Sequence, residues 1–134
     1  MSERIQDYFQ ITQLALEPDV AALEMGGGYV LPEKGPQAVI HTQAEANHIA
    51  LFRFRNGVPR GNHYHLEKVE YLVCLRGTVQ CDLRLVADGG AIAQVTVSAG
   101  DCLRVMPQCI HTYTAVGDDA ICLEYSPTRF AKED

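Results

Sequence analysis

The chain has 134 residues, 47% of them hydrophobic and 21% charged, which is enough for one domain with a real core and excludes wholesale disorder. Eleven Lys and Arg against seventeen Asp and Glu give a formal net charge of -6, which argues against binding to nucleic acid or to an anionic membrane surface. No apolar stretch approaches the ~20 residues of a membrane-spanning helix, and acidic residues stand where a signal peptide would be basic and then apolar. We therefore expect a cytoplasmic protein.

The cysteines agree with that compartment. Their number is odd, no CxxC pair occurs, and four of them lie within runs of Leu, Val and Ile. We expect reduced thiols that pack as small hydrophobic side chains. They are Cys74, Cys81, Cys102, Cys109 and Cys122.

The first 46 residues give mixed signals. Residues 3–17 are compatible with a short amphipathic helix, and also with a strand from Tyr8 to Leu16. The glycine triplet at 26–28 predicts a turn, because the Gly-Lys-Ser/Thr of a phosphate-binding loop does not follow it. His41 lies in a polar segment and is predicted to be at the surface.

From residue 47 onward the pattern predicts short strands separated by turns. Over residues 48–55 Phe52 and Phe54 share one face, while Arg53 and Arg55 share the other, which is predicted to be the outer face. A loop is predicted over residues 56–61. Further strands are predicted at 79–86, 93–97, 102–106, 110–116 and 120–125, with turn signals between them. This organisation predicts an all-β sandwich or barrel.

Two histidines, His63 and His65, are one residue apart in this β-rich part of the chain. Alternate residues of a strand point to the same face, so the two imidazoles are expected to converge on one ion. Glu70 opens the next apolar run, where a buried carboxylate needs a cationic partner. His111 lies in a later strand and is a candidate fourth ligand.

Three histidines and one glutamate leave positions open on a metal ion, as catalysis requires. The expected cofactor is one divalent transition metal, with Fe, Mn, Ni, Zn, Co and Cu all compatible with this donor set. Glu67 is an alternative carboxylate, although the spacing favours Glu70. The alternative without a metal is that His63 and His65 are ordinary half-exposed strand residues.

The spacing Gly57-x5-His63-x-His65-x4-Glu70-x6-Gly77 resembles the first signature of the cupin superfamily, and Gly100-x6-Pro107-x3-His111 is similar to the second. The resemblance covers residues 48–125 and implies a double-stranded β-helix, or jelly-roll, barrel. It also implies metal ligands at His63, His65, Glu70 and His111.

The chain departs from the second signature at Cys109, which stands where a glycine is usual, so the turn before His111 is expected to differ in shape. Cys109 itself is expected to be a packed thiol. We expect a single cupin domain over 1–134 with a core barrel at about 26–126. Residues 1–25 then form a short N-terminal extension, which could serve as the contact of a homodimer.

The hexapeptide Arg60-Gly61-Asn62-His63-Tyr64-His65 resembles the cupin domains of enzymes that modify nucleotide-linked sugars for capsule and other surface polysaccharides. That resemblance implies epimerisation or keto-isomerisation of a 4-keto sugar, by proton abstraction next to the carbonyl. The candidate catalytic residues are Tyr113, which shares the face of His111, Arg60, which could hold a phosphate or carboxylate, and His48. Glu124 is also expected near the barrel mouth, whereas Tyr64 is predicted to point away from the ligand pair.

Three functions therefore stay open at this point. The first is a metal-dependent isomerase or epimerase of a keto sugar or a related hydroxy-carbonyl compound. The second is an Fe(II)-dependent dioxygenase that uses the same site. The third is a ligand-binding or metal-stabilised barrel without turnover. In each case the partner is a small polar molecule.

Overall fold

The computed structural model describes residues 4–13, 28–31, 35–38, 46–87 and 92–128. This part of the chain contains one short 3₁₀ turn, Ile5–Asp7, and eleven strands. The strands are β1 (Phe9–Gln13), β2 (Gly28–Leu31), β3 (Gly35–Ala38), β4 (His48–Phe54), β5 (Arg60–His63), β6 (Glu70–Arg76), β7 (Thr78–Leu85), β8 (Ile92–Ser98), β9 (Asp101–Val105), β10 (Cys109–Ala115) and β11 (Ala120–Ser126). No helix in these described ranges has the length and hydropathy that crossing a membrane requires.

The strands form two main antiparallel sheets. One sheet has five strands in the order β1-β9-β6-β11-β4, and the other has four in the order β5-β10-β7-β8. Strands β2 and β3 pair separately. The arrangement confirms the predicted all-β class.

The core lies between the two main sheets, because alternate residues of each strand point inward. In β10 every odd-numbered residue from Cys109 to Ala115 is buried, while the even-numbered ones are partly exposed. Inward side chains of both sheets form one cluster, which includes Phe54, Leu72, Cys74, Val79, Cys81, Leu83, Val97, Leu103, Tyr113, Ala120 and Cys122. Burial of this apolar surface is the main term that favours the folded state.

A second buried cluster lies on the other face of the five-stranded sheet. It consists of Val73, Cys102 and Tyr125, with Val73 directly opposite Cys102 on the neighbouring strand. All five cysteines of the chain are free and buried. Arg53 and Arg55 are exposed, as their predicted place on the outer face requires.

The structure of the N-terminal segment decides between the helix and the strand that its sequence allowed. After the turn at Ile5–Asp7, strand β1 runs antiparallel to β9, with Phe9 opposite Val105. The helix alternative is therefore wrong for residues 4–13, and Phe9 packs against the core as an inward strand residue does. The predictions for His41 and for Gly26 and Gly27 fall outside the described residues.

Most predicted strands agree with the structure to within a residue or two, but one loop does not. Arg60 and Gly61, predicted to end a loop, belong to strand β5. That strand stops at His63, so His65 lies beyond it. The expectation that His63 and His65 share the face of one strand is therefore wrong. The two side chains still lie close together, but a different geometry brings them there.

Candidate active site

Three histidines from two segments of the chain lie close together, from an exposed position to a buried one. His63 ends β5, His65 follows it, and His111 lies in β10. One possible ligand atom from each ring lies within 4.8 Å of the others. The ring centre of His63 is 5.0 Å from that of His65 and 4.8 Å from that of His111.

The pairing of β5 with β10 places His63 directly opposite His111. Gly61 makes this pairing possible, because its φ is +101° and a Cβ there would lie 2.9 Å from the carbonyl oxygen of His111. Asn62 also has a positive φ, of 62°, and the register shifts between His111 and Thr112. The resulting irregularity in β5 turns His63 toward His111.

His65 is held by its backbone rather than by a sheet ladder. Its carbonyl oxygen accepts a hydrogen bond of 2.8 Å from the amide of Gln108, in the turn before β10. Gln108 takes a positive φ of 66°, a conformation that usually favours glycine. The turn before His111 thus bends at Gln108, and Cys109 is a buried core thiol at the start of β10.

His111 is 1% exposed and is held as a neutral imidazole. Burial is the main cause that lowers its pKa to about 4. Its Nδ1 lies 3.0 Å from the carbonyl oxygen of Cys109, which can only accept, so Nδ1 carries the proton. The lone pair of His111 is consequently on Nε2, which lies 3.3 Å from Oε2 of Glu70.

Glu70 is 3% exposed and its two oxygens face different groups. The hydroxyl of Tyr113 donates a hydrogen bond of 2.5 Å to Oε2, while Oε1 is 3.9 Å from Nε2 of His65. Burial and the neighbouring carboxylate raise the pKa of Tyr113 well above its usual value of 10. The phenol therefore stays protonated and can act as a hydrogen-bond donor.

Two charged residues next to this group were not assigned a role from the sequence. Lys68 is 8% exposed, and its Nζ lies 3.4 Å from Oε1 of Glu70 and in close contact with Oε1 of Glu124. Glu124 is 5% exposed, and burial followed by the charge of Glu70 raises its pKa. His48, with a side chain 23% exposed, places Nε2 3.7 Å from Oε1 of Glu124.

Sequence parity was a signal for both residues. Lys68 is two positions before Glu70, and Glu124 is two positions from the inward-facing Cys122. Residues two apart in extended chain share a face, so both side chains could have been placed inside.

The remaining candidates lie at the solvent side of the site. Arg60 is exposed, and the carbon at the centre of its guanidinium lies 4.4 Å from the centre of the Phe52 ring. Phe52 thereby orients a cation on β5, the strand that ends at His63. Tyr64 is 40% exposed. Glu67, the alternative carboxylate, is exposed as well, whereas Glu70 is buried.

The donor set fits a divalent transition metal. Within the described residues Nε2 of His111 has no hydrogen-bond partner, although it is buried and faces another acceptor, Oε2 of Glu70. Two acceptors repel each other at this distance unless a cation or a proton lies between them. The three histidines form the ligand group by distance, and Glu70 stands just outside it.

Fold and site together define a small jelly-roll barrel with a histidine and carboxylate centre in its interior. Residues 33–133 match the family described as the polysaccharide biosynthesis C-terminal domain. The chain belongs to that family. A comparison of the sequence with curated proteins found no match.

Solved structures confirm the jelly-roll fold that the resemblance to cupins implied. The sugar 3,4-ketoisomerase QdtA from Thermoanaerobacterium thermosaccharolyticum, in complex with TDP, has a TM-score of 0.72 at 12% identity, covering 95% of this chain and 85% of its own. The TDP-fucose-3,4-ketoisomerase WlaRA from Campylobacter jejuni has a TM-score of 0.70 at 14% identity, covering 93% and 85%. The capsular polysaccharide assembling protein CapF from Staphylococcus aureus has a TM-score of 0.61 at 19% identity, covering 78% of this chain and 29% of its own.

Proposed function

We propose that this protein isomerises or epimerises a keto sugar carried on a nucleoside diphosphate. The observation that carries the proposal is the buried, hydrogen-bonded pair of Tyr113 and Glu70 beside a cluster of three histidines. Structurally similar proteins are named as TDP-sugar 3,4-ketoisomerases, and the family is one of polysaccharide biosynthesis. Proton transfer next to a carbonyl needs these kinds of group and no redox cofactor.

The reaction moves protons and leaves the oxidation state of the whole sugar unchanged. A base removes the proton from the hydroxyl-bearing carbon next to the carbonyl, and the carbonyl oxygen takes up a proton, which gives an enediol. When a proton is added to the former carbonyl carbon and the hydroxyl on the neighbouring carbon gives up its proton, the ketone lies on that neighbouring carbon. Return of the proton to its original carbon on the opposite face gives an epimer instead.

Tyr113 and Glu70 are the proton-handling pair in this proposal. The raised pKa of Tyr113 keeps the phenol protonated, so it donates to the carboxylate and stabilises negative charge that develops beside it. His111 is held with Nδ1 on the Cys109 carbonyl, which directs the lone pair of Nε2 into the site. His48 lies at the outer end of the charged chain, next to Glu124.

The proposed cofactor is one divalent transition metal held by His63, His65 and His111, with Glu70 as the fourth ligand. Fe, Mn, Ni, Zn, Co and Cu all suit this donor set. When bound, such an ion would act as a Lewis acid that polarises the sugar oxygens. Without a metal, the exposed ring of His63 becomes the candidate base.

Arg60 is proposed to bind the diphosphate. Its guanidinium is exposed to solvent and oriented on Phe52, next to the segment that carries His63 and His65. A planar, oriented guanidinium matches phosphate oxygens in pairs.

We also propose a homodimer in the cytoplasm. Among the strands that the structure describes, β4 is the last of its sheet, and Ile49 and Leu51 on its outer face are 64% and 66% exposed. Exposed apolar side chains on an edge strand are typical of a surface that a second chain covers. Light scattering of the protein beside a Leu51→Lys variant tests this: a dimer that dissociates in the variant supports it.

The test of function is proton NMR of TDP-4-keto-6-deoxyglucose, the ligand of one similar structure, incubated with the protein in D₂O. An isomerase exchanges the proton next to the carbonyl with deuterium and accumulates a product with a moved ketone. A His63→Ala variant should lose both signals, while Tyr64→Phe, at an exposed position, should keep them.

Metal analysis and oxygen measurements separate the alternatives. Isomerisation that is lost with a chelator and restored by one metal supports the metal centre. Isomerisation by metal-free protein supports proton transfer by side chains alone, with His63 as the candidate base. Oxygen consumed with substrate points to a dioxygenase, and a melting shift without exchange or product points to a binding barrel. The last two results would overturn the proposed function.

A further inference from the structure

The lysine of the site, Lys68, is buried, whereas most lysines extend their ammonium group into solvent. Lys68 is 8% exposed and lies in the short segment between His65 and β6. A buried ammonium group is unfavourable by several kcal/mol unless it is paired, as an order-of-magnitude rule. Two groups that lie beside it are themselves buried carboxylates, Glu70 and Glu124.

The contacts of Lys68 are unequal. It lies in close contact with Glu124, whereas it reaches Oε1 of Glu70 at 3.4 Å. Glu124 therefore holds the ammonium in place, and the ammonium in turn faces one oxygen of Glu70. The other oxygen, Oε2, is left to the Tyr113 hydroxyl and to Nε2 of His111.

We propose that Lys68, anchored by Glu124, is a positioning residue that fixes the rotation of the Glu70 carboxylate so that Oε2 faces Tyr113 and His111. This inference rests on the proposed function, in which Glu70 handles the proton or binds the metal. Lys68 does not touch the substrate in this role. Its effect reaches the reaction only through the orientation of Glu70.

The alternative is that Lys68 only neutralises Glu124 and stabilises the fold. A charge-balanced double variant separates the two roles. Lys68→Met/Glu124→Gln removes one positive and one negative charge, so the net charge of the site is unchanged, and Glu70 keeps the Tyr113 hydroxyl as a hydrogen-bond donor while it loses the ammonium group. Lys68→Arg keeps the cation and serves as the conservative variant. Arg53→Met removes the cation of an ion pair whose arginine side chain is 74% exposed, and it is the control outside the site.

Two readouts are measured on folded protein, after thermal unfolding has shown which variants are intact. The first is the pair of kcat and KM for the keto sugar. We expect the double variant to lose about 10- to 100-fold in kcat with KM unchanged, since groups that orient a catalytic or metal-binding side chain have effects of this size. Lys68→Arg should recover most of kcat, and Arg53→Met should leave both constants unchanged.

The second readout is the imidazole ¹⁵N spectrum, which needs no substrate and no metal. We expect the Nε2 signal of His111 to shift in the double variant, because Glu70 no longer faces it, and to return to its wild-type position in Lys68→Arg. A double variant that is folded and keeps both kcat and the His111 signal would overturn the proposal. If the wild-type protein has no isomerase activity, the proposed function fails, and the His111 signal alone then decides the role of Lys68.

Discussion

The two ends of the site differ in their surroundings, although histidines stand at both. The inner end consists of His111, Glu70 and Tyr113 with Lys68 and Glu124, and every one of these residues is buried. The outer end consists of Arg60 and His63, and both are exposed.

The difference separates two tasks. At the inner end, protein groups set where each proton lies, as the Cys109 carbonyl does for His111. At the outer end, solvent or an incoming molecule completes the surroundings. We infer that the inner end is preorganised for chemistry, while the outer end admits and holds the ligand.

The largest contrast is expected from matched alanine variants of two histidines. His111→Ala should lower the free energy of unfolding by about 3 kcal/mol, because it empties a buried position and leaves the Cys109 carbonyl without its donor. His63→Ala should change it by less than about 0.5 kcal/mol, because the side chain is exposed. Both should abolish proton exchange. Urea unfolding measures the contrast, and equal losses of stability would contradict the division into two ends.

The next effect concerns the phenol at the inner end. Tyr113→Phe removes the donor to Oε2 of Glu70, so kcat should fall roughly 100-fold with little change in KM. Stability should fall by about 1 kcal/mol, the usual contribution of one hydrogen bond. Steady-state kinetics beside Tyr64→Phe provides the comparison, and a kcat within twofold of wild type would remove Tyr113 from the mechanism.

Gly61 lies where β5 packs against His111, so a substitution at Gly61 should weaken the contact between the two ends of the site. Gly61→Ala adds a Cβ 2.9 Å from the His111 carbonyl oxygen, whereas Gly57→Ala has the same kind of positive φ with nothing within 4 Å. The second variant reports backbone strain alone, and the first adds the clash. We expect Gly61→Ala to be less stable than Gly57→Ala by about 2 kcal/mol, measured by urea unfolding. Equal stability would mean that β5 can move away from β10 freely.

At the outer end, binding should change without a change in stability. Arg60→Met should raise KM for the nucleotide sugar about tenfold, because charge-assisted hydrogen bonds to phosphate are lost. The free energy of unfolding should stay within about 0.5 kcal/mol of wild type. Kinetics and urea unfolding of the same preparation test both parts, and an unchanged KM would place the diphosphate elsewhere.

The smallest effect is expected on the far face of the five-stranded sheet, away from both ends. Burial raises the pKa of Cys102 to about 12, above its ordinary value of 9.0. Between these values the unfolded chain binds fewer protons than the folded one, so stability falls as pH rises above 9. Cys102→Ala should have a shallower decline between pH 9 and 10.5. Parallel urea midpoints for the two proteins across that range measure the difference.

The sequence predicted the elements with strong alternation, and it failed where backbone conformation decides. In strand β7 apolar and polar residues alternate cleanly, so its inward face follows from the sequence pattern. Strand β5 does not alternate in this way, since Gly61 and Asn62 both take positive φ values that no hydrophobic pattern encodes. The convergence of the histidines was predicted, yet the real cause is the pairing of β5 with β10.

The charged interior was predicted only in part, because Glu124 was expected near the barrel mouth while Lys68 was not singled out. Lys68 and Glu124 are ordinary surface residues by composition, and hydrophobicity alone places them outside. Strand parity places them inside, but their stability there depends on each other, because either charge alone would be strongly unfavourable. A pair separated by 56 positions in the chain becomes visible only when β6 and β11 are seen to be neighbours.

The stacking of Arg60 on Phe52 has an optical consequence. The chain has no tryptophan, so a tryptophan placed at Phe52 would be the single long-wavelength emitter in the protein. The guanidinium of Arg60 lies 4.4 Å from the Phe52 ring, so the emission of a tryptophan there should change when a phosphate draws the guanidinium away. The fluorescence of this single variant would thus report ligand binding at the entrance of the barrel.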